Sequence, residues 1–238
     1  MSPTARDNFW GLGDIIRGII ATRQLCCQNG YEFILDIHKH PFSQFLVHDV
    51  SETVAALTDA TDVKFFRSLE HVPDLPSPVI LMSNVWCKPP TEDDKAFIRT
   101  FLTIRPEYHI PSVLATPYNV LHFRLGDACI DGTEINYVNL LPMFIRTFKE
   151  NDILCSDSTK FKRFIKSQLK DVRIYADDYL AGHIGKERDP KRLLATLTDL
   201  QILTHAQQIH TFSVYCWTSG FVDWIAKCYD IPVTVMKS

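Results

Sequence analysis

The chain has 238 residues, 46% of them hydrophobic and 15 of them phenylalanine, enough for one large domain or two small ones around a packed core. A formal net charge of -3 and a pI near 6.3 provide no broad basic field, which excludes nucleic acid as the main partner. Its apolar runs fall well short of the roughly 20 residues of a membrane helix, and Met1 to Asn8 lacks the apolar stretch of a secretory signal.

In chain order, Asp14 to Gln28 repeats apolar residues at helical spacing (Ile15, Ile16, Ile19, Ile20, Leu25), and Asn29-Gly30 supplies a stop. Tyr31 to Ile37 reads as a buried strand, with further strands expected at 63–66 and 79–84. Thr91-Glu92-Asp93-Asp94 is a helix start for Lys95 to Leu102, with its carboxylates facing the helix N-terminus. Prolines 106, 111 and 117 then interrupt the periodicity, and the domain boundary is placed there, dividing the chain into 1–112 and 113–238. The second half predicts a strand at 118–124, helical segments at 137–150 and 158–170, and a strand at 172–176. A helix at 190–208, a strand at 209–214, a helix at 220–229 and a last strand at 232–236 complete it. Strands separated by helices predict parallel sheets, so the expected fold is α/β: two Rossmann-like domains with mainly parallel sheets facing across a cleft. Lys160, Lys162, Arg163, Lys166 and Lys170 read as one solvated helix face.

Four motifs stand at element ends, where open α/β sheets bind ligands. His122-Phe123-Arg124-Leu125-Gly126-Asp127 closes a strand, and an arginine there suits a phosphate through its two-pronged donor geometry. Gly11-Leu12-Gly13-Asp14 opens the first helix, but Ile16 breaks the dinucleotide fingerprint. Tyr175-Ala176-Asp177-Asp178 ends a strand in adjacent carboxylates, and Thr218-Ser219 places hydroxyls at a helix start that suits a phosphate. Seven cysteines, at 26, 27, 87, 129, 155, 216 and 228, include no Cys-x-x-Cys pair, a pattern of reduced thiols in the cytoplasm.

The hexapeptide at 122–127 resembles the His-x-Arg-Arg-x-Asp signature of the α1,2-, α1,6- and protein O-fucosyltransferases, with Leu125 in place of the second arginine. Gly11 to Ile15, with Asn29-Gly30 after the helix, is similar to the Gly-Leu-Gly-Asn-Gln opening of many α1,2-fucosyltransferases. Asp177-Asp178 stands where these families end a strand in Ser-Asp-Asp or Thr-Asp-Asp. Thr218 to Ala226 is similar to their Asn-Ser-Ser-Phe-Ser-Trp-Trp-x-Ala at the hydroxyls, Phe221, Trp224 and Ala226. The four likenesses occur in the family's order.

The resemblance implies a GT-B fold whose C-terminal domain holds a nucleotide-sugar. Arg124 would contact the donor diphosphate, Asp127 orient its loop, Asp177 or Asp178 support the nucleotide, and Thr218 with Ser219 bind phosphate. Gly11, Gly13 and His122 would line the same site. The expected reaction is inverting and metal-free, with no cofactor, moving a deoxyhexose to a hydroxyl of a glycan or glycoprotein. Asp14 is the expected base, with Asp36 and His38 behind it. GDP-fucose is the donor the resemblance names. Leu125 removes the family's second arginine and opens the choice to another nucleotide-diphosphate deoxysugar such as UDP-rhamnose. The short lead before Gly11 points to a domain of a longer multidomain polypeptide. Two rival readings stay open: a non-catalytic nucleotide- or glycan-binding module, and a metal-dependent glycosyltransferase using Asp177 and Asp178.

Overall fold

The apolar stripe of the first helix lies where its spacing puts it. Helix α1 (Leu12–Asn29) buries Leu12, Ile16, Ile19, Ile20 and Leu25 and ends at Gly30, after which the Tyr31 N–H donates to the Cys26 carbonyl at 2.9 Å. The structure, a computed structural model, describes residues 11–35, 37, 40–48, 87–110, 116–126, 135–175 and 189–237, and the backbone of 63–65 and 80–82.

The strand expected at 31–37 does not form in its described residues. Tyr31 and Ile34 are exposed, while Phe33, Leu35 and Ile37 are half-buried against the core. An apolar run becomes a strand only where a neighbouring edge takes its backbone bonds, and among the described residues no strand pairs with it. Phe33 instead packs edge-on to Phe97 with ring centres 5.6 Å apart, and the Arg23 guanidinium lies 4.1 Å from the Phe97 ring centre.

Strands β1 (Val63–Phe65) and β2 (Ile80–Met82) form a parallel pair with Val63 opposite Ile80. Helix α2 (Glu92–Phe101) starts with a capping box. The Asp94 N–H donates to Thr91 Oγ1 at 3.2 Å, and the Thr91 N–H donates to Asp94 Oδ2 at 3.1 Å. Asp94 is buried and also accepts from Gln24 at 3.1 Å, tying α2 to α1.

The second sheet is built from β3 (Val120–Arg124), β4 (Ile153–Ser156), β5 (Ile209–Ser213) and β6 (Val233–Val235), all parallel in the order β4-β3-β5-β6. Helices α3 (Leu141–Thr147), α4 (Thr159–Gln168), α5 (Pro190–Thr204) and α6 (Gly220–Tyr229) connect and cover it. β4 was not expected, and the segment predicted as a strand at 172–176 lies beside it. Over its described residues, Arg173 makes only an isolated bridge to Ile153. Four consecutive buried residues make β4, the pattern of a short parallel strand covered on both faces.

Side chains alternate between two cores. Val120, Ile153, Cys155 and Ile209 join α1, α2, α5 and α6 in the larger one, with Ile16, Ile98, Leu200 and Ile225 at its centre. Leu121, Phe123, Leu154 and Phe212 point the other way, towards Phe144 of α3 and Phe161 of α4. From β3 the chain goes to β4 on one side and then returns to β5 on the other. The carboxyl ends of β3 and β5 therefore mark a topological switch point, where a crevice opens in such sheets.

Candidate active site

Arg124 is the last residue of β3, opposite Ser213 at the end of β5. By strand alternation it shares the sheet face of Val120 and His122, the face covered by α1, α5 and α6. Its Nε is buried without a hydrogen-bond partner, and its guanidinium carbon lies 5.6 Å from the centre of the Tyr215 ring. A buried donor left unanswered calls for a partner, and a guanidinium suits an anion. Leu125 is fully buried in the smaller core, so this position faces apolar packing.

The turn after Arg124 is held by a residue the sequence reading missed. Asp157 accepts the Leu125 N–H and the Gly126 N–H, one on each carboxylate oxygen, both at 2.8 Å. Burial pushes its carboxyl above the usual range, opposed by these two N–H groups and by Arg124. Gly126 stands at φ 39, and a Cβ there would lie 3.1 Å from Asp157 Oδ2 and 3.2 Å from the Tyr215 hydroxyl. The available signal was an aspartate two residues after the apolar run Ile153-Leu154-Cys155 and beside Ser158, which caps α4 through the Phe161 N–H at 3.2 Å.

His122 is buried and bonded to Thr211 Oγ1 at 3.1 Å across the β3–β5 pair. Burial, with the Arg124 charge second, pushes its imidazole down to about 3. It is a neutral strand-to-strand link beneath Arg124.

The Gly11 and Ser219 motifs, 208 positions apart in sequence, meet in space. A Cβ on Gly13 would fall 2.4 Å from the Gly220 carbonyl carbon and 2.6 Å from the Phe221 nitrogen, so the first turns of α1 and α6 touch backbone to backbone. Neither helix has a side-chain cap: Gly11 and Ser219 are the N-cap residues. Ser219 is buried and Thr218 exposed. Each N-terminus bears roughly half a positive charge, and two in contact repel unless an anion answers them. The carboxylates nearby are already engaged, Asp14 with Arg17 at 2.8 Å and Asp223 with Lys227 at 2.7 Å.

Under this end of the sheet lies a buried polar group. Lys162, expected on a solvated face, is 1% exposed. The helical stripe of α4 turns Phe161, Lys162 and Ile165 inward together, and charge alone did not reveal that. Asp199 on α5 feels the Lys162 charge and accepts a hydrogen bond from the Cys155 thiol, yet burial still pushes its carboxyl up to about 6. Asp127, Asp177, Asp178, Asp36 and His38 lie outside the described residues. Among those described, no cluster of three or more His, Cys, Asp or Glu is disposed to hold a metal, and no helix is long and apolar enough to cross a membrane.

The helix-covered parallel sheet, with its switch point at Arg124, belongs to a fucosyltransferase-like GT-B fold. Among the solved structures it is similar to are several of NodZ. NodZ alpha-1,6-fucosyltransferase soaked with GDP-fucose superposes with a TM-score of 0.58 at 13% identity, over 94% of this chain and 90% of that one. NodZ co-crystallised with GDP gives 0.57 at 12% identity, over 90% and 88%. Fucosyltransferase NodZ from Bradyrhizobium gives 0.56, again at 12% identity over 90% and 88%. No protein-family model and no curated protein matches the sequence.

Proposed function

We propose that the chain is an inverting, metal-independent glycosyltransferase that moves a deoxyhexose from a nucleotide diphosphate to a glycan hydroxyl. The observation that carries this reading is the contact of two uncapped helix N-termini on the sheet face that also bears Arg124. That is a positive cradle suited to a diphosphate leaving group. The fold likeness to NodZ, solved with GDP-fucose and with GDP, supports the same ligand class.

In this reading Arg124, Thr218, Ser219 and the first N–H groups of α6 hold the diphosphate, while Gly11 and Gly13 let α1 approach it. His122 keeps β3 and β5 in register beneath. Asp127 orients the Arg124 loop, and Asp177 or Asp178 supports nucleotide binding. Asp14, half-exposed and held by Arg17, takes the acceptor proton as the oxygen attacks the anomeric carbon and the diphosphate departs. The region 1–112 serves the acceptor and 113–238 the donor, in a cytoplasmic enzyme. The donor is GDP-fucose or another nucleotide-diphosphate deoxysugar such as UDP-rhamnose, the second option resting on Leu125, which puts apolar packing where a second arginine would stand.

The test is a thermal-shift panel of GDP-, UDP- and dTDP-sugars with and without Mn²⁺, followed by transfer assays. A selective rise in melting temperature by one donor, unchanged by EDTA, is expected. No rise with any donor would sink the reading. The Asp14–Arg17 pair favours one second reading, a non-catalytic nucleotide- or glycan-binding module in which the carboxylate merely answers the guanidinium. It predicts donor binding without turnover, and an Asp14→Asn variant that behaves like the parent.

A further inference from the structure

The loop from β5 to α6 carries two aromatic rings that none of these roles uses. Tyr215 and Trp217 stack with ring centres 5.1 Å apart and planes 11° from parallel, and Trp217 is 61% exposed. Beside them a pocket of about 250 Å³ opens at the carboxyl ends of β5 and β6, lined among others by Thr211, Ser213, Trp217, Thr218 and Met236. That is smaller than the roughly 300–1,000 Å³ of sites for whole drug-sized ligands, and it suits one flat ring system. The platform is held in place. The Tyr215 N–H donates to Ser213 Oγ at 3.2 Å, and the Arg124 guanidinium carbon lies 5.6 Å from the Tyr215 ring centre.

We propose that this pocket takes the nucleobase of the nucleoside diphosphate, stacked on the open face of Trp217. The inference rests on the nucleotide-sugar reading above and specifies residues for its nucleoside end. Loop geometry supports it. Arg124 touches the platform at one end, and Ser219, the N-cap of α6, follows Trp217 by two residues. A diphosphate held by Arg124 and α6 therefore delivers its nucleoside to these rings. The lining sets a flat aromatic face beside polar Thr218 and Lys237, which suits the π-face and polar edge of a base. The Thr211 and Ser213 hydroxyls are already engaged with His122 and Tyr215. Every base has a π-face that an aromatic ring can accept.

Titration calorimetry on the full chain with GDP, UDP and inorganic pyrophosphate tests this, using the parent, Trp217→Ala and Trp217→Phe. The parent should bind at least one nucleoside diphosphate more tightly than pyrophosphate. Trp217→Ala should weaken that nucleoside diphosphate by about tenfold or more, leave pyrophosphate unchanged, and be largely rescued by Trp217→Phe. Equal nucleoside diphosphate affinity in parent and Trp217→Ala overturns the base pocket while leaving the nucleotide-sugar reading standing. So does a parallel loss of pyrophosphate binding, or an effect on a free glycan acceptor alone. A parent that binds neither nucleoside diphosphates nor pyrophosphate removes both.

Discussion

Arg124 has an unanswered buried Nε, while His122, two residues earlier, is bonded to Thr211 across the sheet, and this contrast separates ligand binding from support along one strand. Arg124→Ala should weaken nucleoside diphosphate binding by about ten- to a hundredfold, the range of charge-assisted hydrogen bonds. Arg124→Lys should fail to restore it, since an ammonium lacks the planar fork. Calorimetry reads both. His122 and Asp199 pull stability in opposite directions with pH. The imidazole is pushed down to about 3 from 6.5, so its contribution is complete above pH 6.5 and is lost as pH falls through 3. The Asp199 carboxyl is pushed up from 3.8 to about 6, so its contribution is complete below pH 3.8 and is lost as pH rises through 6. His122→Asn should therefore flatten the loss of stability on acidification, and Asp199→Asn should remove a decline between pH 4 and 6. Each group changes the slope by at most about 1.4 kcal/mol per pH unit. Urea midpoints from pH 4 to 8 decide the signs.

The helices were legible from their punctuation. Asn29-Gly30 and the Thr91 capping box fall at observed helix ends, because caps are local chemistry. Strands were less so. β4 was missed, and 172–176, expected as a strand, makes over its described residues only the Arg173 bridge to β4, because both are short apolar runs and neighbouring edges, not spacing, decide how far each pairs. Tyr31 to Ile37 failed for the same reason. The crossing of α1 on α6 is the element-scale feature most open to test. Gly13→Ala must push the two helix backbones apart and should cost about 1–3 kcal/mol and weaken donor binding. Gly220→Ala, with nothing within 4 Å of the new carbon, should cost far less. Chemical denaturation of the two variants side by side checks this, and equal losses would refute the contact.

At the scale of the whole molecule, the larger core draws on both sides of position 112. Leu12, Ile16 and Ile98 share it with Val120, Leu197, Trp224 and Ile225. A division at 112/113 places β1–β2 and β3–β6 in separate halves, but it leaves α1 and α2 packed against α6. The chain should consequently unfold in one cooperative transition. Tryptophan fluorescence and far-ultraviolet circular dichroism should trace coincident urea curves, and two separated midpoints would contradict the shared core. A bound nucleoside diphosphate should shift the whole curve.

Local chemistry alone was enough to indicate a parallel α/β protein, the helix ends, the strand-end arginine and a hydroxyl-bearing helix start. Each depends on residues within a turn or two of one another. Only the tertiary structure decided that Leu125 points into apolar packing and that Lys162 is buried. It also decided that Asp157 clamps the Arg124 turn and that Gly13 serves the contact of two helix N-termini. These are relations between segments far apart in sequence. Their energies come from burial and from which neighbour occupies the adjoining space, and periodicity and capping carry no record of either.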